Sequence, residues 1–463
     1  VRGGRWRDKR VPIHYAHSGQ AFPLQAIGTT GDQRSSSIWL QELADENLHM
    51  VMSRPYSLVP RSTSRFQYRS REGRLPDAMM RTRRQLLAHL ATGSLVAATG
   101  WSHRATALQP PAPPLSKTPV ELARDEAFWV EVGRHYDRTE GITNLEHGYW
   151  GRMARPVQAA YADAIDRVNA QNSYYARREY DADEAGVTRR IADAMGVMPE
   201  EVVITRNATE AAHNLIRQYR GLGSGDAVLL ADIDYPEFKT HMRWLKTNRG
   251  VQVVEISLPQ RTNQTEIMAR YIEAFEQHPN LKLMLVTHVS NQHGLVVPVS
   301  EISREARRRG IDVICDAAQS WGLLDFSISD LGADWVAFNL HKWIGAPLGT
   351  GALFMRRGTL AKVATYPGEI DPDNTRVASR VHPGTFDFAA RLSIPAALDF
   401  HLAVGAANKE ARLRYLRSLW TDAALQLPHL EVLGGMNEAS WSGIGSFRLR
   451  GKSSLEDARS LQL

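Results

Sequence analysis

Two residues of types that could work together, Asp316 and Lys342, lie 26 positions apart. Asp316 closes a short apolar run at 311–315 (IDVIC), which predicts a buried strand. A second strand-like run at 335–338 (WVAF) ends on Asn339-Leu340-His341-Lys342, with Gly345, Gly349 and Gly351 beyond it. A carboxylate and an amine therefore each stand at the end of a predicted strand, where parallel α/β sheets bind their ligands. Taken singly, an Asp after a strand is ordinarily a turn residue or helix cap, and a Lys there a solvated cation. As a pair they match the needs of pyridoxal 5'-phosphate (PLP). That cofactor takes an amine for its Schiff base and a carboxylate to keep its ring nitrogen protonated.

The surrounding chain must build the sheet that brings the pair together. Strands are predicted at 202–205, 227–231, 252–256 and 281–287, and helices at 119–135, 155–169, 183–195, 236–246, 266–277 and 299–309. Strand and helix alternate from 202 to 351, which predicts an α/β fold with a mainly parallel sheet covered by helices on both faces. After the strand at 202–205 comes Arg206-Asn207-Ala208-Thr209-Glu210 and a helix to 219. Strand, small polar turn and helix present free backbone N–H groups to a phosphate, although Asn or Thr caps any helix. A helical stretch at 393–425 leads to strands at 430–433 and 445–449, a smaller C-terminal α/β domain.

Over about residues 144–400 the chain resembles the class V aminotransferase family of fold-type I PLP enzymes. The resemblance rests on Asp316 with Gln319, on Asn339-Leu340-His341-Lys342, on Asn207-Ala208-Thr209-Glu210-Ala211, on His288-Val289-Ser290-Asn291 and on Gly384-Thr385-Phe386-Asp387. Within the family it is nearest the isopenicillin N epimerase-like branch. The resemblance implies that Lys342 carries the cofactor, Asp316 holds the ring nitrogen and Gln319 bonds the ring hydroxyl. Ala208, Thr209, Asn339 and His341 would contact the phosphate, Tyr235 would stack on the ring, and Asn291 would lie against it. Asn339 departs from the Ser common in desulfurases. Thr385 would reach the phosphate of a neighbouring subunit, which implies a homodimer with shared sites. His288 and His293 are not required by the match. Residues 144–151 either cover the active site, as in the family, or form a Gly-bounded turn. Family members continue past the equivalent of Leu463, and that part carries the arginine that binds the substrate carboxylate.

An amino-acid substrate follows from this reading, but the same residues serve racemisation, transamination and elimination. An epimerase-like or transaminase reaction at Cα is the main reading, and a cysteine desulfurase- or lyase-type enzyme is the alternative. A desulfurase needs a mobile cysteine. The chain's one cysteine, Cys315, falls inside a predicted strand and reads as a small buried hydrophobe. A reading from another class is an exported PLP-fold binding protein without catalysis; the Asp316–Lys342 pair argues against it, since a binder needs no Schiff-base lysine.

The 463 residues carry a formal charge of +6, unevenly placed: residues 1–107 hold +9 and the remainder −3. The body shows no basic patch with interleaved aromatics, so a nucleic-acid partner is not supported. One cysteine excludes an internal disulfide and argues against a cysteine-based zinc site. Residues 1–78, rich in Arg, Ser and Gly, are expected to be disordered, or to precede a true start at Met79 or Met80. Residues 79–107 resemble a twin-arginine signal peptide: Thr82-Arg83-Arg84-Gln85-Leu86-Leu87, a mildly apolar run, then Ala105-Thr106-Ala107. Residues 108–117 form a Pro-rich linker, 118–392 the PLP-binding domain, and 393–463 the linking helix and an incomplete small domain. Export by the twin-arginine machinery to the periplasm, as a folded holoenzyme, is the expectation.

Overall fold

The computed structural model describes residues 110–451. The expectations for residues 1–107 lie outside the described residues. In chain order the helices and strands are α1 (Pro119–Ala123), α2 (Glu126–Gly133), α3 (Arg155–Arg178), α4 (Tyr180–Met195), β1 (Val202–Thr205), α5 (Ala208–Gln218), β2 (Ala227–Ala231), α6 (Pro236–Arg249), β3 (Gln252–Ile256), β4 (Arg261–Thr262), α7 (Gln264–Gln277) and β5 (Leu281–Thr287). They continue as α8 (Val299–Arg308), β6 (Asp312–Asp316), β7 (Trp335–Asn339), β8 (Gly351–Met355), α9 (Phe388–Leu392), α10 (Ile394–Val404), α11 (Ala406–Ala424), β9 (Leu430–Gly435) and β10 (Ser446–Leu449). Among the described residues no helix is long and apolar enough to cross a membrane.

Seven strands form the main sheet in the order β1-β8-β7-β6-β5-β2-β3, and β10-β9-β4 form a smaller one. Parallel strands covered on both faces must be apolar at nearly every position, and β2, β6 and β7 are buried throughout. Successive side chains then divide between two cores. Val313, Cys315, Val336 and Phe338 join Ile267, Tyr271 and Ile302 of α7 and α8 on one face. Ile314, Trp335 and Ala337 join Ala211, Leu215, Phe238 and Met242 of α5 and α6 on the other. By this period of two, Asp316 and Asn339 lie on the α5 side. The two strand ends therefore offer their polar groups toward the start of α5.

The structure differs from the sequence reading at four places. The helix expected at 119–135 is two helices, because Asp125 turns its Oδ1 back to accept the Phe128 N–H at 3.3 Å and starts a new helix. The helix expected to end at 169 continues to Arg178, past a break at Asn172, where φ is 49°. The stretch expected to be helical at 393–425 breaks at Gly405, with φ 90°. Finally, the strand–helix alternation lapses after β6: a turn-rich connection carries only a short 3₁₀ turn, Ile328–Leu331, and β8 returns antiparallel between β7 and β1. Local apolar runs place strands, whereas their order depends on pairing between residues far apart in the chain.

Candidate active site

Asp316 ends β6 and is almost fully buried, at 5% exposure. Its Oδ1 accepts the Ala318 N–H at 2.9 Å. Burial pushes its carboxyl up to about 6, against the Ala318 N–H and the Lys342 charge, which both lower it. A carboxylate held out of water in this way binds a proton-bearing cation strongly.

Lys342 stands on the turn after β7, and backbone bonds hold that turn on both sides. Leu340 N–H donates to Thr350 O at 3.1 Å, Gly345 N–H to Lys342 O at 3.1 Å, and Gly151 N–H to His341 O at 2.7 Å. The approach of residue 151 leaves no space for a side chain: a Cβ there would fall 1.8 Å from the Lys342 carbonyl oxygen. Burial lowers the Lys342 amine, and the Asp316 carboxylate pulls it back up. A depressed lysine offers more free amine at neutral pH, the form that attacks a carbonyl.

The third part is the start of α5. Asn207 caps it, its Oδ1 accepting the Glu210 N–H at 2.8 Å. Asn339 Oδ1 accepts the Ala208 N–H at 2.9 Å. The β7 end thus grips the helix directly, and among the described residues the Thr209 N–H makes no hydrogen bond. The contact is close because residue 351 is glycine: a Cβ there would lie 2.7 Å from both Asn207 Cα and Phe338 O. His341 Nδ1 donates to the Thr350 carbonyl at 2.8 Å, which directs its Nε2 edge away from that turn. Burial lowers its imidazole, opposed by the Thr350 bond and aided by Lys342. A helix N-terminus with a free N–H beside an imidazole suits a phosphate.

Gln319 is fixed at both ends of its amide. Nε2 donates to Gly148 O at 2.9 Å, and Oε1 accepts the Trp343 indole N–H at 2.9 Å. Tyr235 immediately precedes α6, partly buried, with its ring edge-on to Phe238 at 5.5 Å. Burial and then the Glu237 charge push its hydroxyl up to about 12. Asn291 is exposed on the loop after β5. Thr385 is exposed before α9 and, among the described residues, makes no hydrogen bond to the Lys342 turn. The structure therefore gathers Asp316, Gln319, Asn339, His341 and Lys342 with Ala208 and Thr209. It leaves Asn291 and Thr385 on the surface.

Three participants were not singled out from the sequence. Trp343 and Gly148 hold Gln319, as described above. Asp234 is wholly buried beyond β2, where its carboxyl accepts the Ala231 N–H and the Thr287 hydroxyl, both at 2.7 Å. Burial pushes Asp234 up to about 7, and the Asp316 charge adds to the rise. Thr287 pairs in register with Asp316, so Asp234 and Asp316 flank one strand end. A second Asp after a strand was the available signal.

A desolvated amine within electrostatic reach of a buried carboxylate, and a free helix N–H, at the ends of a largely parallel sheet fit the site of a fold-type I PLP enzyme. The chain belongs to the class V aminotransferase family, whose profile, Aminotransferase class-V, matches residues 158–462. Isopenicillin N epimerase of Amycolatopsis lactamdurans is 26% identical over 345 residues, 69% of this chain and 84% of that protein. A cysteine desulfurase of Haloferax volcanii is 27% identical over 334 residues, 68% of this chain and 77% of that one. Among solved structures, the apo cysteine desulfurase of Thermococcus onnurineus NA1 superposes with a TM-score of 0.61 at 21% identity, covering 71% of this chain and 84% of that chain. A C-DES mutant with glycine covalently linked to its PLP cofactor gives 0.60 at 22%, covering 67% and 84%. PLP is the cofactor of this chain, and the residues fit it. Among the described residues the Lys342 amine makes no hydrogen bond, and it lies close enough to Asp316 for each charge to shift the other.

Proposed function

We propose that this enzyme moves a proton at the Cα of an amino acid, with epimerisation as the reaction. Bound PLP supplies an electron sink for the charge left when that proton departs. Lys342, freed to act as a base, would take the α-proton from one face of Cα, and inversion then requires that a proton reach the opposite face. Asp316 keeps a proton on the ring nitrogen by setting a desolvated negative charge against it. Gln319, locked between Trp343 and Gly148, keeps one N–H for the ring hydroxyl. The Thr209 N–H and hydroxyl, with His341, would hold the phosphate; the Ala208 N–H expected there is taken by Asn339, which keeps the start of α5 in place for them. Tyr235 would stack on the ring, and Asn291, exposed on the loop after β5, would lie against it.

The observation that carries this reading is an amine and a buried carboxylate, Lys342 and Asp316, close enough for each charge to shift the other. The likeness to two isopenicillin N epimerases supports it. Cys315 offers no thiolate for sulfur transfer, because burial inside β6 pushes its thiol well up. The test is a panel of D- and L-amino acids incubated in heavy water and read by NMR. Deuterium at Cα together with appearance of the opposite enantiomer is expected. Keto-acid formation without inversion, or sulfide release from cysteine, would replace epimerisation by transamination or by the lyase reaction.

The same proposal includes a homodimer and an exported enzyme. The exposure of Thr385 suits a contact across a two-fold interface, as does that of Leu145, Tyr149 and Trp150 in the segment over the site. Export rests on the paired arginines Arg83 and Arg84, the weak apolar run and Ala105-Thr106-Ala107. PLP capture needs folded strand ends, so a route that carries folded proteins matches the cofactor. Replacing Arg83 and Arg84 together with Lys is expected to hold the PLP-loaded precursor in the cytoplasm. Unchanged periplasmic accumulation of that variant would refute the route.

A further inference from the structure

Side chains along α11 bond backbone groups of several other segments. Glu410 Oε2 accepts the Asp325 N–H at 2.6 Å, on the connection that carries Gln319. Arg412 donates to Ala123 O at 2.8 Å, and Arg414 to Glu438 O at 2.6 Å. One member of this row reaches the catalytic turn itself. Lys409 Nζ donates to the Trp343 carbonyl at 2.7 Å and lies 3.2 Å from His401 Nδ1.

This is an unusual position for a lysine. The residue keeps partial exposure, yet its amine end is desolvated and no carboxylate pairs with it among the described residues. The titratable groups that sense it are His401 on α10 and His147 beside Trp343. His401 is buried and driven well down by that burial and by Lys409, so it stays neutral. His147 is pushed down to about 4 by burial, Lys409 and Arg152. Desolvation pushes the Lys409 amine itself down to about 7. An amine kept at such cost, in contact with the residue next to Lys342, is poorly explained as packing.

We propose that Lys409 is a positioning residue for the cofactor-bearing lysine. Its amine pins the Trp343 carbonyl, and so fixes the turn that presents Lys342 and the indole that orients Gln319. The chain of contacts is continuous: Lys409 Nζ to Trp343 O, Trp343 Nε1 to Gln319 Oε1, and Gln319 Nε2 to Gly148 O. One side chain from α11 thereby secures the groups for the imine carbon and the ring hydroxyl together. This role rests on PLP being held by Lys342.

Lys409→Met keeps the stem and removes the amine, and Lys409→Gln restores a shorter N–H donor. Each is measured for PLP release, for the pH midpoint of the visible band, for amide exchange at residues 343–346 in the apo protein, and for thermal stability. The Met variant is expected to release PLP about tenfold faster, the loss that follows from one missing hydrogen bond. Its band midpoint should shift, its apo-protein amides at 343–346 should exchange faster, and the Gln variant should fall between. Stability should move the other way. The folded value of Lys409 lies below its unfolded 10.5, so wild-type stability climbs as pH rises from about 7 toward 10.5. The Met variant should lack that climb and be no less stable than wild type at pH ~6. Wild-type release and midpoint in a folded Met variant would overturn the role. If the Met variant does not fold, the Gln variant decides: weakened retention supports the role, and wild-type retention overturns it. The apo-protein exchange does not involve PLP, so it separates a failure of this role from a failure of the cofactor assignment.

Discussion

Lys342→Ala is expected to abolish the covalent hold on PLP and to lower α-proton exchange by at least ~10³-fold, since it removes both the attachment point and the base. Borohydride reduction of wild-type holoenzyme followed by peptide mapping should mark Lys342. The fold should survive, because the amine makes no hydrogen bond among the described residues and the turn is held by backbone groups of Thr350 and Gly151. Marking of another lysine would refute the assignment. The same variant tests the shared site. A Lys342→Ala chain mixed with a Thr385→Ala chain should give heterodimers that bind PLP better than either parent. Equal affinity in parents and mixture would remove Thr385 from the phosphate site.

Asp316→Asn should retain PLP on Lys342 and yet lose about 10³-fold in exchange rate, the scale of one preorganised charge aimed at a reacting group. An amide keeps the shape, and its oxygen still accepts the Ala318 N–H, but it supplies no charge to the ring nitrogen. Loss of activity should therefore come without loss of fold. Stability without cofactor should even improve at neutral pH. The folded value of Asp316 is raised from 3.8 to about 6, so ionising it costs wild-type stability, and that cost grows as pH rises from 3.8 to about 6. Above that window the cost is complete, and Asn avoids it. Denaturant unfolding of both apo proteins at pH ~5 and ~8 should show the variant's advantage increasing with pH. A variant that is catalytically normal at saturating PLP would sink the role assigned to Asp316.

The contrast between these residues shows what can be read along a chain. Asp316 and Lys342 were legible because each closes an apolar run, and a strand end is a local property. Gln319 and the turn at Ala208 and Thr209 also stand within a few residues of such an end, and the family resemblance supplied the roles expected of them. The mainly parallel sheet followed from alternation of periods, which is also local. Asn339 illustrates the limit: its place at a strand end was evident, but its partner, the Ala208 N–H, lies 131 positions away. Its grip on α5 exists only because β8 inserts between β1 and β7, bringing Gly351 against Asn207. Asp234 left only the weak signal of an Asp after a strand, and Lys409 left none. An Asp in a turn and a Lys in a polar helix are ordinary until folding removes their water. Desolvation belongs to neighbours drawn from distant segments, here Thr287 for Asp234, and Trp343 and His401 for Lys409. The types and order of residues determined that this chain builds strand ends carrying an amine and a carboxylate. Only the tertiary structure decided which further groups are stripped of solvent around them, because burial is a property of the assembled surface rather than of any stretch of sequence.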